Sequence, residues 1–130
     1  MEFEISGAIE IEKSSLVICS EGAASGDNLE SALEACNDAI EEEPTDGDAY
    51  YFRGVVNSQL GKDAAAEDDF TSAIELGANR LAEAYYWRGV SKENQRKLRD
   101  AANDFQKAAE LKPQWSAAQR KVAEYHWALN

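Results

Sequence analysis

The sequence predicts an all-α fold, a solenoid in which pairs of helices stack side by side. The first observation is an internal repeat, because the segment AYYFRGV at residues 49–55 returns as AYYWRGV at residues 84–90, 35 residues later. The second is helical spacing of apolar residues downstream of each copy, as in Leu98, Ala101 and Phe105. A fixed period of this length is typical of supersecondary units that share one continuous core.

Seven helices follow from these patterns, near residues 9–25, 28–43, 47–60, 63–76, 80–95, 98–111 and 116–129. Pro44 and Pro113 fall in the breaks between helix pairs, where a missing amide donor does least harm. Asp46 and Asn79 are expected to cap the helices that follow them. The first helix has the least regular pattern, and residues 1–7 are expected to be loose or disordered.

The composition narrows the class of partner. The 130 residues include 25 acidic and 13 basic side chains, for a net charge of -12. Such a chain repels phosphate backbones and anionic lipid headgroups, so neither nucleic acid nor a membrane is expected as a partner. The acidic charge either only keeps the protein soluble or attracts a basic partner. With an acidic N-terminus and no apolar run of membrane-spanning length, a cytoplasmic location is the default expectation.

Cysteine and histidine usage gives no sign of catalysis. Cys19 and Cys36 lie among apolar neighbours on predicted helices, so buried free thiols are expected, with a disulfide or a metal site as the alternatives. His126 is the single histidine, no base is placed beside either cysteine, and no glycine-rich phosphate loop is present. We therefore expect no enzymatic activity, no cofactor and no metal.

The repeat resembles the tetratricopeptide repeat, a helix–turn–helix unit of about 34 residues with the pattern W-x₂-L-G-x₂-Y, then A-x₃-F, then P. At these positions the middle unit holds Tyr50, Arg53, Gly54, Asn57, Ala66, Phe70 and Ala78, and the next holds Tyr85, Arg88, Gly89, Lys92, Ala101, Phe105 and Pro113. A degenerate first unit fits upstream through Ala32, Cys36, Ala39 and Pro44. The resemblance implies a single domain over residues 1–130, a right-handed superhelical solenoid. Its units would span about 13–46, 47–81 and 82–115, with a capping helix at 116–129.

Both complete units carry an arginine where the family prefers leucine and an aspartate further along, Arg53 with Asp69 and Arg88 with Asp104. The first unit has neither residue. Because the two residues occur together and are missing together, we expect an ion pair within each complete helix pair. The alternative is that these arginines bind a ligand.

In proteins similar to this one, the first helices of successive pairs line a concave groove that holds peptides. Transferred by position, the candidate groove residues are Tyr51, Phe52, Val55, Gln59, Glu83, Tyr86, Trp87, Val90, Asn94, Arg120 and Trp127. Their spacing also places them on one helical face. This aromatic and aliphatic strip, edged with acid, suits a peptide with apolar anchors and a basic flank. The alternative is that Tyr51 and Tyr86 cover the core while Phe52 and Trp87 pack between helices.

One branch of this family grips the carboxylate tail of heat-shock chaperones with lysine, asparagine and arginine. The corresponding positions hold Val17, Glu21, Phe52, Glu83 and Trp87, so such a tail is not expected to bind. We therefore expect an adaptor or scaffold that binds a peptide or helical segment of a partner protein. The alternatives are a small acidic chaperone-like subunit for a secretion or assembly client, and a self-associating structural protein.

Overall fold

The computed structural model describes residues 12–129, and their regular structure is entirely helical. The helices are α1 (Ser15–Ser25), α2 (Leu29–Glu42), α3 (Gly47–Gln59), α4 (Asp63–Glu75), α5 (Leu81–Asn94), α6 (Leu98–Leu111) and α7 (Ser116–Glu124), with a 3₁₀ helix at His126–Ala128. Consecutive helices pack as three pairs, which are α1 with α2, α3 with α4, and α5 with α6. Each pair packs on the next pair, and α7 packs on α6. This part of the chain is an all-α helical repeat solenoid, as the sequence predicts.

The first helix is shorter than expected. Residues 12–14 are not helical, and α1 begins after Ser14, whose side-chain oxygen accepts a hydrogen bond from the Val17 amide at 3.2 Å. Gly26 ends the helix in a left-handed conformation with φ of 74°. The part of the predicted helix before residue 12, and the disorder expected for residues 1–7, lie outside the described residues.

One of the two expected caps is correct. Asp46 caps α3, because its carboxylate accepts a hydrogen bond from the Asp48 amide at 3.0 Å. Asn79 is not a cap, since α5 begins after Arg80. Instead the backbone and side-chain nitrogens of Asn79 both donate to the Asp48 carboxylate at 2.8 Å. This contact ties the turn before α5 to the start of α3.

Close packing within the two complete pairs depends on a glycine. A Cβ atom at Gly54 would lie 2.7 Å from Cε1 of Phe70, and one at Gly89 would lie 2.8 Å from Cε1 of Phe105. Both phenylalanines are completely buried. The missing side chain therefore lets each ring lie directly on the backbone of the partner helix.

The expected ion pairs are confirmed. Arg53 donates to Asp69 through Nη2 at 2.7 Å and Nε at 3.0 Å, and Arg88 donates to Asp104 through the same atoms at 2.8 Å and 2.9 Å. Two parallel bonds from a planar guanidinium fix the geometry as well as the charge. Both arginines therefore serve the fold by joining the two helices of their pair.

The expectation of free thiols is wrong, because Cys19 and Cys36 form a disulfide, with Cα atoms 4.8 Å apart. The repeat explains why they meet. An offset of 34 residues places Cys19 where Arg53 stands in the next unit and Cys36 where Phe70 stands. In that unit Arg53 meets Asp69 and Gly54 meets Phe70 across the helix pair, so the same register brings the two cysteines close to each other.

Candidate peptide-binding groove

The first helices of the three pairs form one layer, which we call the inner face. Helix α3 lies at its centre and contacts both α1 and α5. Two cavities open on this face, one on each side of α3. Val55 lines both of them, so they are adjacent.

The larger cavity, which we call the α1 cavity, has a volume of about 200 Å³. Helix α1 contributes only small side chains, while the other walls belong to α3 and to the turn before α5; the lining residues are Ser20, Ala23, Ala24, Tyr51, Phe52, Val55 and Arg80. The Arg80 guanidinium lies 5.7 Å from the centre of the Phe52 ring, within cation–π distance. The cavity is therefore apolar with one cation at its rim.

The smaller cavity, which we call the α5 cavity, has a volume of about 120 Å³ and lies between α3 and α5. Its lining residues are Val55, Ser58, Gln59, Phe70 and Trp87. Trp87 is 37% exposed, so part of its indole is accessible to a ligand. Adjacent apolar concavities with a few polar groups at the rim are typical of ligand sites.

The two tyrosines of the repeated motif contribute more to the core than to the surface. Tyr51 is 6% exposed, and its ring centre lies 5.8 Å from that of Phe70. Tyr86 is half-buried and packs against Phe105 and Trp115. In both units the residue after the tyrosine is the more accessible of the two, since Phe52 is half-buried and Trp87 is exposed.

Burial affects the ionisation of Tyr51. Burial first, and then the charge of Glu83, raise the pKa of Tyr51 to about 12, while the charge of Arg80 opposes them. The phenol at the wall of the α1 cavity therefore stays neutral over the physiological range.

Three polar candidates of the inner face already have partners within the chain. Gln59 donates through Nε2 to the carbonyl oxygen of Ala23 at 2.9 Å, which joins α3 to α1. Asn94 donates to Asp63 at 3.1 Å. Glu83 accepts from Lys112 at 2.9 Å, and although burial acts to raise the pKa of Glu83, the bond and charge of Lys112 bring it below its ordinary value.

The remaining candidates lie away from the two cavities. Val90 is half-buried and packs into the core around Phe105. Trp127 is 54% exposed in the 3₁₀ helix, with the Arg99 guanidinium of α6 5.5 Å from its ring centre. Arg120 is exposed on α7. The structure thus gathers Tyr51, Phe52, Val55, Gln59 and Trp87 around the cavities, and it does not bring Arg120 or Trp127 to them.

The sequence interpretation missed Arg80 and the small residues of α1. The degenerate first unit lacks the aromatic residues that mark the inner face elsewhere, so Ala23 and its neighbours gave no signal. Arg80 precedes the first helical position of its unit. It does lie three residues before Glu83, and this one-turn spacing was the available sign that both share a face.

Two further findings concern the described residues alone. Between residues 12 and 129, no group of three histidine, cysteine, aspartate or glutamate residues is arranged to hold a metal ion. None of the helices in that range combines the length and the apolar character that crossing a bilayer requires.

Comparison with known proteins identifies the repeat. Family models described as tetratricopeptide repeat match residues 82–115 and 47–79, together just over half of the chain. The chain also resembles many solved structures, three of which illustrate the similarity. The first TPR of Spaghetti (RPAP3), bound to the HSP90 peptide SRMEEVD, has a TM-score of 0.77 at 23% identity, over 93% of this chain and 98% of that one.

The Arabidopsis OM64 TPR domain has a TM-score of 0.79 at 24% identity, over 89% of this chain and 97% of that one. The first TPR domain of human RPAP3 has a TM-score of 0.76 at 25% identity, over 89% of this chain and 92% of that one. No curated protein sequence matches the chain. At these identities the similarity concerns the fold.

Proposed function

Because the chain belongs to the tetratricopeptide repeat family, we propose that it is a protein–protein interaction module whose inner face binds a peptide or helical segment of a partner protein. The observation that carries this proposal is the pair of adjacent cavities that share Val55, with Phe52 and Trp87 as their accessible aromatic walls. Aromatic residues in concave, water-excluding positions supply most of the binding energy in protein interfaces.

The two cavities define the kind of segment that fits. An apolar side chain would enter each cavity, with the larger one in the α1 cavity. The Arg80 guanidinium is a donor at the rim, so it can bind a backbone carbonyl or a side-chain oxygen of the segment. The segment is therefore recognised by two apolar anchors and one acceptor group between or beside them.

A basic flank on the partner would act mainly at long range. Two acidic residues of the inner face already have partners within the chain, since Glu83 accepts a hydrogen bond from Lys112 and Asp48 accepts one from Asn79. The net charge of -12 still attracts a basic segment. Attraction of this kind raises the association rate and weakens as salt screens it. We expect a basic flank to change the salt dependence of binding more than the affinity in concentrated salt.

We further propose that the inner face does not bind heat-shock chaperone tails. The positions that would grip a terminal carboxylate include Val17, Glu21 and Glu83, none of which is a cation, and Glu83 is itself negative. Titration of the chain with the peptide SRMEEVD tests this proposal. We expect no saturable binding, and saturable binding that Arg80→Ala abolishes would contradict it.

The main proposal is tested with a selected ligand. Peptides are selected from a random-sequence library on the immobilised chain, and their dissociation constants are measured by calorimetry for the wild type and for Trp87→Ala. Trp127→Ala is the matched control, because it removes the same side chain from an exposed position away from both cavities. We expect Trp87→Ala to weaken binding by about tenfold or more, while Trp127→Ala leaves it unchanged.

Circular dichroism of each variant checks that the helices persist. If Trp87→Ala and Trp127→Ala weaken peptide binding equally, or if neither weakens it, the proposal is contradicted. A chain that keeps an aggregating client soluble but selects no short peptide would instead favour a chaperone-like subunit.

A further inference from the structure

The first helix pair is held together differently from the other two. Each complete pair has a bidentate ion pair and a buried phenylalanine ring between its helices. In the core cluster of this pair the buried residues of α1 and α2 are the two cysteines and three alanines, Ala23, Ala32 and Ala35, with Leu29 and Leu33 of α2 only partly buried against them. Alanine side chains bury little apolar surface. The disulfide therefore replaces both the ion pair and the ring as the main link within this pair.

Helix α1 has few other supports. It is 11 residues long, whereas the first helices of the complete pairs have 13 and 14 residues. Isolated helices of this length are marginal in water, so their order depends on packing. Within the described residues α1 packs mainly on α2 and α3. Loss of the link to α2 would therefore leave α1 poorly held.

The same helix forms one wall of the candidate binding site. Ser20, Ala23 and Ala24 line the α1 cavity opposite Phe52. The carbonyl oxygen of Ala23 also accepts the hydrogen bond from Gln59 on α3. Displacement of α1 would remove this wall and free the Gln59 side chain.

We propose that the Cys19–Cys36 disulfide is a redox site that controls the order of α1 and, through it, the shape of the α1 cavity. The proposed effect of the disulfide on the order of α1 is independent of what the protein binds. The proposed effect on peptide binding rests on the function proposed above. The reductant is a dithiol, either a small molecule or a protein with paired thiols.

The chemistry is thiol–disulfide exchange. A thiolate of the dithiol attacks one cysteine sulfur atom, the bond between the two protein sulfur atoms breaks, and the other cysteine leaves as a thiolate. The second thiol of the reductant then attacks the mixed disulfide and releases the first cysteine. In total, two electrons and two protons pass to Cys19 and Cys36, and the reductant becomes a disulfide.

Burial governs how this site reacts. Both cysteines are 0% exposed, so a dithiol reaches the sulfur atoms only when α1 separates transiently from its neighbours. Reduction of the native chain is therefore slow. It should accelerate in urea concentrations well below those that unfold the whole domain, because local opening becomes more frequent while α3–α6 stay folded.

Amide hydrogen exchange with mass spectrometry tests whether the disulfide controls the order of α1. The full chain is compared before and after treatment with dithiothreitol, with alkylation to count free thiols. After reduction we expect exchange in residues 15–25 to accelerate by about 100-fold, the factor that corresponds to closing a loop of this length. Exchange in α5 and α6 should be unchanged. Equal exchange of α1 in the two states would overturn the proposal, as would free thiols in the untreated chain.

A cysteine-free variant separates reduction from side effects of the reagent. Cys19→Ala/Cys36→Ala should show the rapid α1 exchange of the reduced chain and no response to dithiothreitol. A response of this variant equal to that of the wild type would assign the effect to the reagent and overturn the proposal.

Peptide affinity in the two redox states then tests the control of binding. For a library-selected peptide that binds the oxidised chain and depends on Phe52, which lines the α1 cavity, we expect about tenfold weaker binding after reduction. Unchanged affinity together with rapid α1 exchange would refute control of the cavity. If no peptide is selected at all, the proposed function fails, and the exchange experiment still decides whether the disulfide controls α1.

Discussion

The two buried ion pairs should differ in how much stability they lose when their arginine is removed. Asp69 and Asp104 are equally buried, with side chains 6% exposed. Among the residues that the structure describes, and apart from its arginine, Asp69 accepts only a neutral amide from Asn57 at 2.8 Å, whereas Asp104 lies 3.0 Å from the Lys92 ammonium. Removal of the arginine therefore leaves Asp69 without a cation and Asp104 with one.

The magnitudes follow from this difference. An uncompensated buried charge costs about 3 to 5 kcal/mol, so Arg53→Met should lower the free energy of unfolding by about 3 kcal/mol, at the low end because Arg53 is itself partly exposed. Arg88→Met should cost about 1 to 2 kcal/mol, because the hydrogen bonds are lost but the charge of Asp104 stays compensated. Methionine keeps most of the apolar stem in both cases.

Urea unfolding followed by far-UV circular dichroism, with the disulfide intact, measures both values. In a Lys92→Met background the cost of Arg88→Met should rise to that of Arg53→Met, because Asp104 then has no cation either. Arg88→Met as costly as Arg53→Met in the wild-type background would refute the compensating role of Lys92.

Three further predictions concern single side chains. Ser91→Ala should raise the free energy of unfolding by about 1 kcal/mol in urea, because the buried Ser91 hydroxyl has no hydrogen-bond partner among residues 12–129. Gly54→Ala should lower the free energy of unfolding by about 1 to 3 kcal/mol, since the new Cβ would meet the Phe70 ring. Phe70→Leu should destabilise the Gly54→Ala variant less than it destabilises the wild type, because the smaller side chain leaves room for the Cβ. Folding raises the pKa of Tyr51 from 10.0 to about 12. The contribution of neutral Tyr51 to the free energy of unfolding is therefore fully present below pH 10.0 and is lost as the pH rises towards 12. Unfolding measured between these values should show a smaller loss for Tyr51→Phe than for the wild type, and an equal loss would contradict the raised pKa.

The contacts that recur in each unit could be read from the sequence. Arg53 with Asp69 and Arg88 with Asp104 occur at one spacing in both complete units, and a contact that the fold repeats leaves this kind of signature. The glycine and phenylalanine positions also recur, although their contact within each pair was not predicted. Repetition therefore predicted the helix pairs and the ion pair within each complete pair.

Contacts that occur once were harder to predict. The disulfide of Cys19 with Cys36 has no counterpart in the other units, so the number and neighbours of the cysteines suggested free thiols instead. The register of the repeat was the available sign, because it places the two cysteines at positions whose immediate neighbours meet across the next helix pair. Asn79 was misjudged for a related reason, since its bond to Asp48 joins two units and local capping rules describe only one.

The accessibility of the inner face was the least predictable feature. Tyr51 and Phe52 are adjacent and both recur in the next unit as aromatic residues, so the repeat alone cannot tell which one faces the cavity. That depends on how neighbouring helices cover each position. The structure buries Tyr51 and leaves Trp87 partly exposed, which favours the residue after each tyrosine over the tyrosine itself as a contact for a ligand.

The most direct measurement of the binding proposal is an isotope-filtered nuclear Overhauser experiment on the chain with its tightest library-selected peptide. Val55 is the residue to observe, because it lines both cavities. We expect contacts from apolar peptide side chains to the Val55 methyl groups, together with contacts to the Phe52 ring or the Trp87 indole. Contacts confined to the outer helices α2, α4 and α6, or to Trp127, would contradict binding on the inner face.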